Sequence, residues 1–368
     1  MNLTLFTPGE CLDKKTWSGT CLALYNSFKK IDGIKPDPIN MYALIPKYLK
    51  GLQRMYGKLF FVGGNHTRNR LIYPTMAMKV AKIIQKSEND WHLFVADHAC
   101  LPSVSNDKKC AVFMDSEYMV WAPYAKGRAK DFYVNYYDKK TQESLEQMKL
   151  IFTENDWTRD FLIHQRHLPE EKVINVACGI NLKPYLGEKD YCKQNLLIVL
   201  REGTEKVKGL DLLLEAFKIV KRSIPSCRLS VVGSKMGEDQ EGVDTYFNQP
   251  RSVTVELFKQ STLYVMPSKM EPQGVTYVEA LANKSPIIGL NHFTFPEFTD
   301  YGKYGFICEN ESPEGLASTI INALNKPNLL ADMGHRGQQY VLNRYSWNHV
   351  ATKIINAMNQ YDKINSPK

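Results

Sequence analysis

Short apolar segments alternate with helical patterns along the second half of the chain, and this alternation limits the possible folds most. LLIVL (196–200) precedes LDLLLEAFKIVKRS (210–223), whose apolar residues recur at helical spacing. The same order continues from CRLSVVGS (227–234) to SPIIGL (285–290). Strands separated by helices of this length are typical of right-handed crossover units, which build a parallel sheet covered by helices. We therefore predict an α/β domain here.

The first half of the chain shows the same alternation, less regularly. Its predicted strands are 2–6, 58–64, 91–97, 109–115, 149–155 and 173–179, and its predicted helices are 18–30 and 71–87. Because 368 residues exceed one ordinary domain, we predict two Rossmann-like parallel-sheet domains, at 1–185 and 186–345. Ligands bind at the carboxyl ends of such strands, so two facing domains would form a cleft with Gly233 and Glu271 beside it.

The charge of the chain is concentrated in its first half. Residues 1–185 contain 26 Lys and Arg against 19 Asp and Glu, whereas the remainder contains 21 against 20. This excess fits either a solvated surface or a face toward an anionic partner such as lipid headgroups, a phosphorylated acceptor or nucleic acid. The eight cysteines form no C-x-x-C pair, and there is no signal-peptide pattern or long apolar window, so we expect a cytoplasmic protein with reduced thiols.

The segment SKMEPQGVTYVEALANKSP (268–286) places Glu271 and Glu279 eight positions apart. It leaves a predicted strand and enters a predicted helix, so the backbone amides from Gly274 onward lie at a helix N-terminus, where an anion is favoured. Carboxylates accept hydrogen bonds from hydroxyls. The pattern suits a diphosphate between two polyols, as in a nucleotide sugar, although Glu279 could also be an exposed helix charge.

A second basic loop lies between LLIVL and the helix that follows it. Arg201 comes just after the strand and Lys208 just before the helix. Two cations on one loop could neutralise a departing diphosphate. Either cation taken alone could be an ordinary loop charge.

The motifs in this order resemble glycosyltransferase family 4, the "glycosyl transferases group 1", which are retaining enzymes with the two-domain GT-B fold. The similar segments are 151–162, 170–185, 201–217, 228–234, 257–274, 278–288, 294–298, 301–308 and 345–350. The resemblance implies sugar transfer from a nucleotide-diphosphate sugar to a glycan, lipid-linked or other hydroxyl acceptor. It also implies that residues 346–368 form a helix that returns to the first domain.

The resemblance also implies roles for individual residues of the second half. Glu271 would lie by the hydroxyls of the donor sugar and Glu279 would hold the ribose hydroxyls. The backbone at Gly274, Val275 and Thr276 would meet the sugar and the phosphate.

Further roles follow from the same resemblance. Arg201 and Lys208 would bind the diphosphate, and Gly19, in TWSGT, would belong to a glycine loop beside the donor phosphates. Among the first-domain residues that follow strands, His98 and Asp115 are candidates for contact with substrate, with a structural role as the alternative for each.

The chain departs from the family pattern at several positions. Phe293-Thr294-Phe295 replaces a common glycine pair, Lys284 replaces a small residue, Gln273 replaces a frequent phenylalanine, and the segment between Arg201 and Lys208 is one residue longer. These departures leave the identity of the donor sugar open. They also keep two alternatives open, a GT-B-fold sugar-nucleotide epimerase and a non-catalytic nucleotide-sugar or glycan-binding protein.

Two further expectations concern cofactors and surfaces. The sequence has no D-x-D triplet and no cluster with metal-ligand spacing, so we expect no metal and no other cofactor. Residues 41–58 mix tyrosines, leucines and cations, which fits an amphipathic helix packed on its own core or one that contacts an anionic membrane surface. Residues 124–140 interleave basic and aromatic residues, but a lid loop is the preferred interpretation over nucleic-acid binding.

Overall fold

A computed structural model describes residues 1–60, 72–96, 104–117, 120, 131–235 and 240–365. The chain divides into two compact units. The first unit comprises Met1–Gly179 and Trp347–Lys368, and the second unit comprises Ile180–Ser346. Each unit is built around one six-stranded parallel sheet.

The sheet of the first unit has the strand order β2-β1-β3-β4-β5-β6. The strands are β1 Asn2–Thr7, β2 Lys35–Asn40, β3 Trp91–Val95, β4 Cys110–Met114, β5 Leu150–Thr153 and β6 Val173–Asn175. β1, β3 and β4 are almost entirely buried because they lie in the middle of the sheet, where both faces are covered.

Helices cover both faces of this sheet. The helices of the first unit are α1 Thr20–Phe28, α2 Lys47–Phe60, α3 Ile72–Lys86, α4 Asp131–Gln147, α5 Asp156–His164 and α12 Trp347–Asn365. One buried cluster contains residues of α1 and α12, including Phe28 and Ile354. The other contains residues of α3, including Val80. The last helix of the chain is therefore part of the first unit's core.

The sheet of the second unit has the strand order β12-β11-β10-β7-β8-β9. Its strands are β7 Asn195–Val199, β8 Arg228–Val232, β9 Val243–Tyr246, β10 Leu263–Val265, β11 Ile287–Leu290 and β12 Gly305–Cys308. Its helices are α6 Leu210–Ser223, α7 Arg251–Gln260, α8 Val275–Ala282, α9 Phe295–Phe298, α10 Pro313–Leu324 and α11 Pro327–Arg344. The two parallel α/β sheets confirm the predicted fold class.

One predicted strand is wrong over its described part. Residues 58–60 of the predicted strand 58–64 form the end of α2, and residues 61–64 lie outside the described residues. The apolar run by itself favours a buried strand, but Leu49, Leu52, Met55 and Leu59 continue a helical spacing into it.

Candidate functional site

The site begins at the turn from β10 into α8. Gly274 precedes α8 with φ +66°, and a Cβ atom there would lie 2.1 Å from the Phe298 ring. Only glycine fits both constraints. Val275 and Thr276 are the first two residues of α8 and are partly exposed. Their N–H groups have no partner within the helix, so they can receive an anion.

Glu271 is held at three points beside this turn. Its Oε1 accepts a hydrogen bond from Gly274 N at 3.1 Å, and its Oε2 accepts one from Lys208 Nζ. Its carbonyl oxygen accepts from Thr294 Oγ1 at 2.6 Å. The side chains of Glu271 and Lys208 are each 11% exposed, so the two charges form a nearly buried ion pair. The structure thus joins two residues that the sequence placed 63 positions apart.

The loop after β7 carries both predicted cations but positions them differently. Lys208 is buried, and its N–H donates to Thr204 O at 2.9 Å. Arg201 is exposed, and Thr204 Oγ1 donates to its carbonyl oxygen at 2.7 Å. No hydrogen bond or ion pair joins the Arg201 guanidinium to another residue of the described chain. Lys208 therefore belongs to the Glu271 cluster, while Arg201 reaches into solvent.

Glu279 lies on α8 with a side chain that is 9% exposed. Its Oε1 accepts from Arg251 Nη2 at 2.9 Å. Burial raises the pKa of Glu279 to about 7, and the charge of Arg251 opposes that rise. Sequence reasoning missed Arg251, which is the first residue of α7 and follows Pro250. Basic residues at the start of a helix are common, so the sequence pattern does not distinguish Arg251 from other cations.

The loop after β8 packs closely on the loop after β7. Gly233 has φ +86°, and a Cβ atom there would lie 2.0 Å from Leu200 O. Next to it, Ser234 Oγ donates to Glu205 Oε1 at 3.2 Å. Both loops leave the carboxyl ends of neighbouring strands, so Gly233 lies against the start of the loop that carries Lys208. Whether it contacts a donor stays a prediction.

Two of the three candidates in the first unit, Gly19 and Asp115, lie among the described residues. Gly19 has φ +87° and directly precedes α1, after a turn in which Trp17 and Ser18 are also left-handed. Asp115 follows β4, and its carbonyl oxygen accepts from Thr158 Oγ1 at 3.0 Å. His98 lies outside the described residues. The substrate roles of all three stay predictions.

The positions that depart from the family pattern have defined contacts. Lys284 has φ +57°, and its Nζ donates to Gly187 O at 2.8 Å. Tyr191 Oη donates to the carbonyl oxygen of Lys284, also at 2.8 Å. Through these two hydrogen bonds, Lys284 holds residues 187 and 191 in the first segment of the second unit. Thr294, in place of a glycine, supplies the hydroxyl that holds Glu271.

Where the structure describes the chain, it contains no group of three or more His, Cys, Asp and Glu side chains that could hold a metal ion. In that portion no helix is both long enough and apolar enough to cross a bilayer.

The cluster can serve an anionic ligand rich in hydroxyls. Two carboxylates can accept from hydroxyls, the N-terminus of α8 offers free N–H groups, and Lys208 and Arg201 supply positive charge. Lys208 shares its charge with Glu271, so most of the net positive charge that the site presents comes from Arg201 and the helix end. Such a site favours binding of a phosphorylated sugar.

Comparisons with known proteins agree with this chemistry. The family model described as "Glycosyl transferases group 1" matches residues 189–340. The poly(ribitol-phosphate) alpha-N-acetylglucosaminyltransferase of Staphylococcus aureus (strain COL) is 25% identical over 41% of this chain and 33% of its own length. The alpha-monoglucosyldiacylglycerol synthase of Acholeplasma laidlawii is 26% identical over 59% of this chain and 58% of its own length.

A solved structure extends the likeness to the whole chain. The glycosyltransferase from Rickettsia africae ESF-5 superposes with a TM-score of 0.66 at 16% identity, over 100% of this chain and 99% of that one. This likeness shows the fold, which is GT-B. The chain spans 33% of the length of the first curated relative named above and 58% of the length of the second. Over residues 189–340 the chain is similar to the glycosyl transferases group 1 family.

Proposed function

We propose that this protein is a retaining glycosyltransferase that uses a nucleotide-diphosphate sugar and needs no metal. The observation that carries the proposal is the joined cluster of Lys208, Glu271 and Gly274 at the start of α8, inside the segment that the family model matches. Glu279 lies on the same helix, so one ligand could contact both carboxylates. The acceptor is a glycan, lipid-linked or other hydroxyl compound.

The reaction exchanges one bond at the anomeric carbon of the sugar. The bond from that carbon to the diphosphate oxygen breaks, and a bond to the acceptor oxygen forms on the same face. The acceptor proton passes to the departing diphosphate. Lys208, Arg201 and the N-terminus of α8 stabilise the charge that develops on the leaving group, which is the work a metal ion would otherwise do. Glu271 orients the sugar.

The test is a panel of UDP-, GDP- and ADP-sugars. We expect at least one to raise the melting temperature of the protein and to be hydrolysed slowly without acceptor. Glu271→Ala should strongly reduce turnover, and Arg201→Ala should weaken binding of the diphosphate. The matched control is Lys269→Ala, which removes an exposed cation near the site. If no nucleotide or nucleotide sugar shifts the melting temperature, the proposal is wrong.

Product analysis separates the two alternative functions. An epimerase would change the sugar of the donor without any acceptor, and chromatography of the reaction mixture would show the new nucleotide sugar. A binding protein would be stabilised by the ligand without any product. Addition of EDTA tests whether the reaction is independent of metal. Turnover should not change, and a loss of turnover that Mg²⁺ restores would contradict the proposal.

We also propose that α2 brings the protein to an anionic membrane surface. Tyr48, Leu52 and Met55 are 70%, 46% and 56% exposed. Their spacing places them on one side of the helix, and Lys47 and Lys50 lie in the same helix. An exposed apolar stripe with nearby cations is typical of helices that lie in the headgroup region.

Flotation with liposomes tests this second proposal. The protein should float with vesicles that contain anionic lipid, and the triple variant Tyr48→Ser/Leu52→Ser/Met55→Ser should float much less. Met78→Ser, which changes a 58% exposed residue of α3, is the control. Flotation that does not depend on anionic lipid, or that the triple variant retains, would contradict the proposal.

A further inference from the structure

The Glu279 carboxylate has one paired oxygen and one open oxygen. Oε1 accepts from Arg251 Nη2 at 2.9 Å. No donor within the described part of the chain reaches Oε2. The carboxylate is almost buried, with 9% of its side chain exposed, whereas 56% of the Arg251 side chain is exposed. The cation thus covers one side of the carboxylate from solvent and leaves the other side available to a ligand.

Both partners are held by regular structure. Arg251 is the first residue of α7, after Pro250. Glu279 lies in the middle of α8, and its carbonyl oxygen accepts from the side chain of Asn283 at 2.8 Å. The pair therefore joins two helices at a fixed geometry, which a contact between two mobile loops would not provide.

Few charged groups act on this carboxylate from the elements packed around it. Arg251 is the described cation that stabilises its charged form. From β10, Tyr264 also interacts with it, but burial raises the pKa of that phenol, so Tyr264 stays neutral at any working pH. Two opposing effects therefore set the ionisation of Glu279: burial disfavours the charged form, and the exposed Arg251 stabilises it.

We infer that Arg251 is a positioning residue for donor binding: its guanidinium keeps Glu279 ionised and directs Oε2 toward the adjacent ribose hydroxyls of a nucleotide sugar. The inference rests on the proposed function. An ionised carboxylate accepts a hydrogen bond at either oxygen, whereas a protonated one loses acceptor capacity and binds hydroxyls less strongly.

The pH dependence of donor binding follows from this role. The pKa of Glu279 is about 7 with Arg251 present. Donor affinity should therefore fall as the pH drops through about 7. Removal of Arg251 takes away the charge that lowers this pKa, so in Arg251→Gln the midpoint of the fall should move to higher pH.

The experiment measures binding of the nucleotide sugar selected by the panel, by calorimetry between about pH 6 and about pH 9. An esterified diphosphate does not titrate in this range, so the diphosphate of the ligand adds no midpoint of its own. The variants are Arg251→Gln, Arg251→Lys and the control Arg228→Gln. Arg228 forms a similar pair with Asp244 at 2.6 Å, and its side chain is 55% exposed.

We expect Arg251→Gln to bind roughly tenfold more weakly near neutral pH, the value of one charge-assisted hydrogen bond, and to approach wild-type affinity at about pH 9. Arg251→Lys should retain most of the affinity, and Arg228→Gln should match the wild type throughout.

Three results would overturn the inference. Equal affinity and an equal midpoint in Arg251→Gln would show that Glu279 does not depend on Arg251. Weaker binding with an unchanged midpoint would show that Arg251 acts on the ligand or on the fold. If the wild type binds no nucleotide sugar, the proposed function fails and the inference fails with it, whereas the first two results leave the proposed function intact.

Discussion

The buried carboxyl of Glu279 makes the stability of the fold depend on pH. Its pKa is about 7 in the folded protein, against 4.5 for an ordinary glutamate. The folded state therefore holds a proton that the unfolded state releases between these values. The stability that this group contributes is present in full below pH 4.5 and is lost as the pH rises through about 7.

A pH-dependent stability of Glu279→Gln follows. The variant cannot ionise, so its free energy of unfolding should exceed that of the wild type by up to about 3 kcal/mol near pH 8, and by little near pH 5. Urea denaturation at both pH values measures this. Glu256→Gln, at an exposed position of α7, is the control. A change of equal size at both pH values would contradict the prediction.

The ion pair of Lys208 and Glu271 should stabilise the fold, in contrast to the buried carboxyl of Glu279. Lys208→Met leaves a nearly buried carboxylate without its cation, and we expect a loss of about 3–5 kcal/mol in the free energy of unfolding. Lys269→Met, at an exposed position nearby, should change it by less than about 0.5 kcal/mol. Addition of Glu271→Gln to Lys208→Met should restore part of the loss. Urea midpoints that match for both single variants would show that the pair does not stabilise the fold.

The turn from β10 into α8 depends on close packing as much as on backbone conformation. Tyr277 and Phe295 are 4.9 Å apart between ring centroids, and Phe298 lies 6.0 Å from Tyr277. Phe295 and Phe298 therefore pack against Tyr277 of α8, and the Gly274 turn lies directly against the Phe298 ring. The position of the free N–H groups of α8 is therefore set by an aromatic cluster.

Alanine at two glycines can separate packing from backbone strain. Gly274 and Gly302 both have positive φ, but an added Cβ meets the Phe298 ring at 2.1 Å in the first and nothing within 4 Å in the second. Gly302→Ala should cost about 1–2 kcal/mol for the left-handed conformation. Gly274→Ala should cost about 1–3 kcal/mol more because of the overlap, and should also weaken ligand binding. Denaturation curves measure both costs, and equal costs would rule out the packing argument.

Position at a sheet edge accounts for the three strands that local patterning missed, although the edge strand β6 was predicted. β7 and β8 lie inside the sheet and carry apolar residues that are largely buried, so their patterns were recognised from the sequence. β2, β9 and β12 form sheet edges and were missed. β2 is the sequence KPDPIN, which is partly exposed and contains two prolines. An edge strand needs no continuous apolar run, and proline is tolerated there, so local patterning does not indicate it.

At the scale of the whole molecule, the last helix packs into the core of the unit in which the chain begins. α12 contributes five residues to the first unit's core, namely Val350, Ala351, Ile354, Ile355 and Met358. Gly179, at the end of the first unit's main segment, lies so close to the Trp347 ring that a Cβ atom would be 2.2 Å from it. The first unit is therefore completed only after the second unit has been synthesised.

Two isoleucines of α12 test this dependence. Ile354 is fully buried, whereas Ile364 is 72% exposed. Ile354→Ala should lower the free energy of unfolding of the first unit by about 2–5 kcal/mol, and Ile364→Ala should change it little. Hydrogen exchange reports the location: the amides of β1 and β3 should exchange faster in Ile354→Ala, and those of β8 should not. Faster exchange in β8 alone would contradict the prediction.

Local patterning along the chain predicted the alternation of strands and helices, the α/β class, the loops that carry Arg201, Lys208 and Glu271, and the helix that carries Glu279. This succeeds because burial on both faces of a parallel sheet imposes apolar runs that are visible in any sequence. That the two sheets share a cleft stays a prediction.

The partners of these residues could not be predicted. Lys208 binds Glu271 rather than remaining a free cation, Arg251 donates to Glu279, and Thr294 donates to the carbonyl oxygen of Glu271. Each contact joins residues between 23 and 63 positions apart. Such pairs depend on how loops at the ends of neighbouring strands pack together, and that packing arises only when the whole unit folds.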